Sequence, residues 1–484
     1  MSPLLLFSFV IAYFLILLGV AWYTGKNSNN ESFFIGNRNS NWMLVAFGMI
    51  GTSLSGVTFV SVPGAVAKES FAYFQITLGY LLGYLVIAYV LLPLYYKLNL
   101  TSIYNYLSSR LGFTSYKTGA SFFILSRTLG ATARLYLVVN ILQEAILKSF
   151  GVPFWATTLV ILAMILLYTY EGGVKTIVWT DTLQTTCMLA GLVICVIYIL
   201  SSLNLGFSES LQVMGEKGYS TVFFTDPNSK FFFAKQILAG AFITITMTGM
   251  DQEMMQKNIS VKTLKDSQKN IITLAIIMLV VILLFLFLGG LLYLFAGQNN
   301  IATTGDKLFP TVALQHMPPF ISVIFIIALI SALFPSADGA ITALTSSFCI
   351  DIIGMQRRSD IDEAQKKKMR QRVHLGFAAI FLLFVMIYKW IDEPSMIGVI
   401  LKVAAYTYGP LLGLFTFGIL LKRSVQDKLV PIICIAAPVI CFFLDKFQKQ
   451  IFGSFEVGLE LLIINGLLTF MGLLLISKPA IAKA

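Results

Sequence analysis

Long apolar stretches recur along the whole chain, each about the length needed to cross a bilayer as one helix and separated from the next by a short polar connection. A spanning helix takes roughly 20 predominantly apolar residues. Segments 3–23, 41–66, 71–97, 118–148, 152–170, 176–201, 231–255, 271–297, 320–353, 373–391, 396–421, 427–446 and 456–476 meet that test, 13 in all. The first has no basic flank before it and no small-residue cleavage site behind it, which predicts a retained helix. No stretch is left over for a soluble domain of useful size. The pattern predicts an all-α polytopic membrane protein with a single transmembrane domain over residues 1–484.

Two of these segments carry polar interruptions. In hydrocarbon a broken helix leaves backbone groups unpaired at several kcal/mol each, so breaks persist where they line a cavity or bind something. Gly51-Thr52-Ser53-Leu54-Ser55-Gly56 lies in the middle of the second span, and Thr244-Ile245-Thr246-Met247-Thr248-Gly249-Met250-Asp251-Gln252 in the seventh. The two are five spans apart, the separation expected of two inverted five-helix repeats that each begin with a discontinuous helix. Residues 41–201 and 231–421 are then the repeats, with 1–40 and 427–484 peripheral. The same residue types also serve plain helix packing in membranes.

Composition agrees with the pattern: of 484 residues 57% are hydrophobic and 12% charged, too few charges to coat a soluble surface. Loops on one side carry 22 Lys and Arg, Lys257 among them, and those on the other carry 8. The positive-inside rule then predicts an external N-terminus and a cytoplasmic C-terminus. The net charge of +11 reads as topology and not as nucleic-acid binding, although the block from Arg357 to Arg372 suits anionic lipid headgroups. Cys187, Cys195, Cys349, Cys434 and Cys441 sit in apolar helices without metal-type spacing. His316 and His374 fall near predicted loop ends with no partner at ligand spacing. Neither an enzyme's nucleophile and base nor a cofactor fingerprint is present, so the expected partners are a small solute, a monovalent cation and lipid.

Ionisable residues within spans usually mark a path for ion or solute. Arg127 and Arg134 lie seven residues apart in the fourth span and project from one face. They suit an anionic solute, or else pair with Asp181, Asp338 or Glu144. In the ninth span Ala332 and Ser336 share a face, and Pro335 releases the carbonyl of Ser331. Carbonyls and hydroxyls at such a place give a hard cation its oxygen ligands, so a monovalent-ion site between spans 2 and 9 is expected.

At these residues the chain resembles the sodium/solute symporter family, which includes bacterial sialic acid carriers. The resemblance rests on Tyr168-Thr169-Tyr170-Glu171-Gly172-Gly173 running on to Trp179-Thr180-Asp181, on Asp251-Gln252 with Gln256-Lys257, and on Ser336-Ala337-Asp338 running to Asp351. It implies a LeuT-type 5+5 inverted-repeat core. It further implies a sodium site at Gly51, Leu54, Ala332, Pro335 and Ser336, where Pro335 departs from the family's hydroxyl residue. A second cation site falls on Asp181 and Asp338, the latter standing where the pattern has a hydroxyl, so a proton is the alternative coupling ion. Ser53, Ser55 and Thr58 match hydroxyl positions that hold the solute in sialic acid carriers. The family's solute-binding arginine aligns with Gly130, flanked here by Arg127 and Arg134. Thr77, Thr244 and Met247 complete the candidate solute contacts, Met247 standing at the gate tyrosine of the sugar carriers.

The expected activity is cation-coupled symport of a small polar solute, an organic anion or acidic sugar, by alternating access, with Na+ as coupling ion and no cofactor. A transporter-like sensor is the second reading, since some relatives attach this core to a signalling kinase. A channel is the third, but two broken helices suit a closed central site better than a continuous pore.

Overall fold

A computed structural model of the chain describes residues 2–25, 30–170, 173–391 and 395–479. Helix α1 (Pro3–Thr24) starts where Ser2 caps the Leu5 N–H and Pro3 occupies a position that needs no donor. Helices α2 (Trp42–Ser53) and α3 (Gly56–Glu69) form one bent span. They are followed by α4 (Tyr73–Val86), α5 (Phe113–Ala145), α6 (Phe154–Thr169) and α7 (Gly173–Leu203). After a long connection come α8 (Phe233–Thr244), α9 (Gln252–Ile259), α10 (Leu264–Gln298), α11 (Pro319–Ser347) and α12 (Glu363–Ile391). Helices α13 (Met396–Thr407), α14 (Gly409–Leu420), α15 (Val430–Lys446) and α16 (Leu461–Leu475) complete the bundle. Arg423–Val425 and Ser477–Pro479 pair as a short antiparallel ribbon.

Among the described residues, eight helices are long and apolar enough to span a membrane, and three bent pairs qualify when each is taken as one span. The shorter apolar helices Phe154–Thr169 and Leu461–Leu475 fill the two remaining predicted segments. Leu15, Ile197, Ile432 and Leu475 are more than half exposed on outward faces, as suits a protein whose surrounding solvent is lipid.

Two of the three bends coincide with the polar interruptions. The first, of 54°, separates α2 from α3; the second, of 65°, lies between Gly249 and Gln252. Helix α8 passes into a wide π-helical turn at Ile245–Gly249 before breaking at Met250 and Asp251, so Thr248 sits in that turn, just ahead of the break. The third bend, of 45° between α13 and α14, falls in a segment that reads as continuous by hydropathy. Gly409-Pro410 marks it: proline removes a donor and glycine permits close approach. Helix α11 by contrast runs through Pro335 without a break.

Small residues draw the helices together. A methyl group on Gly79 of α4 would sit 2.1 Å from the Ile237 carbonyl oxygen, and one on Gly240 of α8 would sit 2.2 Å from that of Ile76. The two helices therefore touch backbone to backbone, as small-residue motifs allow in membranes.

A candidate solute cavity beside a buried charge cluster

The first break sets the site. Helix α2 ends with the Leu54 N–H donating to Ile50 at 2.7 Å; Ser55 is extended and α3 resumes at Gly56. The last carbonyls of a helix have no intrahelical partner, so this bend offers bare peptide oxygens within the bundle. Opposite lie the π-helical turn after α8 and the body of α5. Between them is a cavity of about 750 Å³, open in part to solvent.

Ser53, Ser55, Thr58, Arg127, Arg134, Thr244 and Met247 all line this cavity. Thr77 does not. It lies buried on α4, its hydroxyl donating to the Tyr73 carbonyl at 3.1 Å. The same helix contributes Tyr73, Tyr80 and Tyr84, which sequence reasoning missed although their 7- and 4-residue spacing puts them on one helical face. The hydroxyls of Tyr73 and Tyr80 are 3.2 Å apart. Met278, Ile282, Ile397, Ile400 and Leu401 close the apolar side.

The two arginines differ. Arg127 is buried and paired with Glu253, and its guanidinium lies 4.0 Å from Asp251. Neither carboxylate is among the partners the sequence suggested: Glu144 pairs with Lys148 on the exposed surface at 2.6 Å, Asp181 pairs with Lys257, and Asp338 accepts from the Tyr168 hydroxyl at 2.7 Å. Arg134 is only partly buried and, among the described residues, has no hydrogen bond or ion pair. Both arginines also border a smaller recess of about 230 Å³ beside Gly130 and Tyr408.

Gly51 of α2 packs on Pro335 of α11, since a methyl group on Gly51 would meet the proline ring at 3.4 Å. Leu54, Ala332, Pro335 and Ser336 are buried alongside, and the Ser336 hydroxyl donates to the Leu333 carbonyl at 2.8 Å. Thr52 reaches across the same gap, with its hydroxyl 3.5 Å from the Pro335 carbonyl. Pro335 brings no hydroxyl, but Thr185 of α7 does: its oxygen would lie 2.4 Å from a methyl on Gly51 and has no hydrogen-bond partner among the described residues. A buried oxygen in that condition suits a cation.

Lys257 belongs to this interior, not to the loop cations. Only 2% of its side chain is exposed, and its ammonium donates to Asp181 Oδ2 and to Thr52 Oγ1 at 2.6 Å each. Helix α9, bent by 65° from α8 at the second break, is buried along its whole length, and this carries Lys257 inward. Asp338 lies in electrostatic reach of Lys257 and Asp181. His374 likewise lies well inside α12, buried, with the hydroxyls of Thr169 and Thr345 at 3.1 Å. Glu171 and Gly172 of the glycine-pair stretch lie outside the described residues, as do Lys26 and Lys483.

A sequence profile described as the sodium:solute symporter family matches residues 33–427. The chain is 24% identical to the sodium/sialic acid symporter SiaT of Proteus mirabilis (strain HI4320), over 93% of this chain and 92% of that protein. It is 21% identical to the sodium/sialic acid symporter NanT of Aliivibrio fischeri (strain ATCC 700601 / ES114), over 94% and 90%. A solved Na+-coupled sialic acid symporter, in a substrate-bound outward-open state, superposes with a TM-score of 0.83 at 20% identity, covering 98% of this chain and 99% of that one. That likeness establishes a common fold.

Proposed function

Because the chain belongs to the sodium:solute symporter family, we propose that it moves a small organic anion of the acidic-sugar class across the membrane together with sodium, by alternating access. Arg134 carries the reading. Its guanidinium lines the cavity and, among the described residues, has no acidic partner, so it is available to a carboxylate. The hydroxyls of Ser53, Ser55, Thr58 and Thr244 and the three tyrosines supply polar contacts for a sugar, and Met247 and the isoleucines supply the apolar wall. The sialic acid named for both relatives is the first anion to test.

Sodium is assigned to Gly51, Leu54, Ala332 and Ser336, with Thr185 providing the hydroxyl that Pro335 lacks. Asp181 and Asp338 form the second cation site. Residues 41–201 and 231–421 are taken as the two inverted five-helix repeats of a LeuT-type core, within about 13 helices in all, a reading supported by the broken helix that opens each repeat. Residues 1–40 and 427–484 lie outside that core. The N-terminus is external and the C-terminus cytoplasmic, in a bacterial inner membrane.

A proton in place of sodium is the second reading, and Asp338 favours it. Among the described residues this buried carboxylate has a tyrosine hydroxyl beside it but no cation within ion-pair distance. Proteoliposome uptake of radiolabelled N-acetylneuraminate, driven by an inward sodium gradient or by a pH gradient, separates the two. Accumulation that follows sodium and weakens in Arg134→Gln supports the proposal. Accumulation that follows the pH gradient alone overturns its sodium part, and the absence of any uptake overturns the choice of solute.

A further inference from the structure

Four buried side chains of alternating charge join the solute cavity to the ion region. Arg127 of α5 borders the cavity and pairs with Glu253 of α9; Glu253 Oε1 is 3.9 Å from the Lys257 ammonium one turn along; Lys257 pairs with Asp181 of α7 at 2.6 Å. None of the four is more than 4% exposed. Each of Arg127, Glu253 and Asp181 also keeps one buried atom with no hydrogen-bond partner among the described residues: Nε, Oε1 and Oδ1. A buried polar network left partly unsatisfied is one whose partners can be exchanged.

The geometry singles out Glu253 as the member that turns. Asp251, the other carboxylate near Arg127, is fixed by the Tyr408 hydroxyl at 2.7 Å and by the N–H groups of Glu253 and Met254. Among the described residues Glu253 is held through its other oxygen by Arg127 alone, and its Oε1 needs to move only about 1 Å to reach charge-assisted contact distance from Lys257. Gly339 of α11 leaves the space for this carboxylate, since a methyl there would meet Glu253 Oε1 at 2.3 Å.

We propose that Glu253 and Lys257 are positioning residues that link the two ligands of the transporter: an anion taking the charge of Arg127 releases Glu253 to Lys257, which loosens Lys257 from Asp181 and raises the affinity of Asp181 for the coupling cation. This rests on the symport reading above. The linkage is reciprocal, so the cation raises anion affinity by the same factor. An anionic solute and its cation thereby load together, and a neutral solute gains no such advantage.

Sodium chloride alone tests the relay, with Arg127→Gln imitating the effect of a bound anion. Sodium affinity is measured calorimetrically on the purified full chain in nanodiscs, at ionic strength held constant with choline chloride. Arg127→Gln tightens sodium binding by about tenfold, a typical coupling factor. Adding Arg127→Gln to Glu253→Gln changes it by less than about twofold, since the rung that carries the effect is gone. Lys257→Met cuts the relay one rung later and gives the same loss, which covers the case in which Glu253→Gln fails to fold. Arg127→Lys shifts affinity in the same direction by a smaller factor and covers Arg127→Gln. Glu253→Asp, which keeps the charge, retains the response to Arg127→Gln, an outcome that a merely structural role does not produce. An equal effect of Arg127→Gln in the presence and absence of Glu253, or no effect, overturns the relay while leaving symport intact. A parent protein that binds no sodium overturns the sodium reading and the relay together.

Discussion

Tyr408, between α13 and α14, donates a 2.7 Å hydrogen bond to Asp251 Oδ2 at the second helix break. One interruption of the bundle is thus fastened to another through a single hydroxyl, and both ends of the bond are buried. Tyr408→Phe removes the donor and leaves an Asp251 oxygen bare. Exposing a buried acceptor in this way costs about 1–3 kcal/mol, so the variant should denature at lower temperature in detergent, as followed by scanning fluorimetry. An unchanged midpoint would show that the bond contributes nothing.

Neutralising Arg134 and neutralising Arg127 should cost different things, solute affinity in the first case and stability in the second. A hydrogen bond to a charged group is worth about 1.5–3 kcal/mol, so Arg134→Gln should raise the half-saturating concentration of an anionic solute about 10- to 100-fold with little change in stability. Arg127→Gln removes the partner of a buried carboxylate, and the loss of thermal stability should be the larger of the two. Uptake kinetics and melting curves on the same preparations read both effects.

The ion region carries a prediction about hydroxyls. Thr185→Val keeps shape but deletes an oxygen beside Gly51 that has no partner among the described residues, and Ser336→Ala deletes the hydroxyl now turned to Leu333. Each should weaken sodium activation of uptake, while Pro335→Ser, which adds an oxygen on the same face of α11, should strengthen it. The expected size is about 1 kcal/mol, or roughly fivefold in half-saturating sodium. Unaltered sodium curves in all three would remove the site from this gap.

Gly240→Ala probes the contact between α4 and α8. The added methyl would lie 2.2 Å from the Ile76 carbonyl oxygen, a clash that backbone cannot relieve cheaply. Overpacking of this kind costs about 1–3 kcal/mol, and the yield of monodisperse protein after detergent extraction should fall. Gly130→Ala, with nothing within 4 Å of the new methyl, serves as the neutral control.

Much of this fold is legible in the sequence because hydrocarbon imposes a strict length and polarity on each span. The break at Ser53 is visible for the same reason: glycines flank hydroxyls where lipid would otherwise demand apolar residues. The break before Gln252 is legible as a region, but a π-helical turn sets where it falls, and hydropathy carries no signal for that. The bend at Tyr408 is hidden within an apolar run and betrayed by Gly409-Pro410 alone. Lys257 falls just past the seventh predicted span, among the loop cations, and Glu253 at that span's very end, both beyond the break. Only the inward turn of α9 converts them into interior charges. Pairing was the least legible feature, since the partner of Arg127 lies 126 positions away and spacing along one helix cannot reveal it.

The backbone contact of α4 with α8 has a mechanical consequence. Gly79 and Gly240 bring the two backbones into direct contact, so α4 and α8 are expected to move as one plate. The bends near Leu54, Met250 and Tyr408 are then natural joints for alternating access, and a cross-link between α4 and α8 should leave turnover untouched.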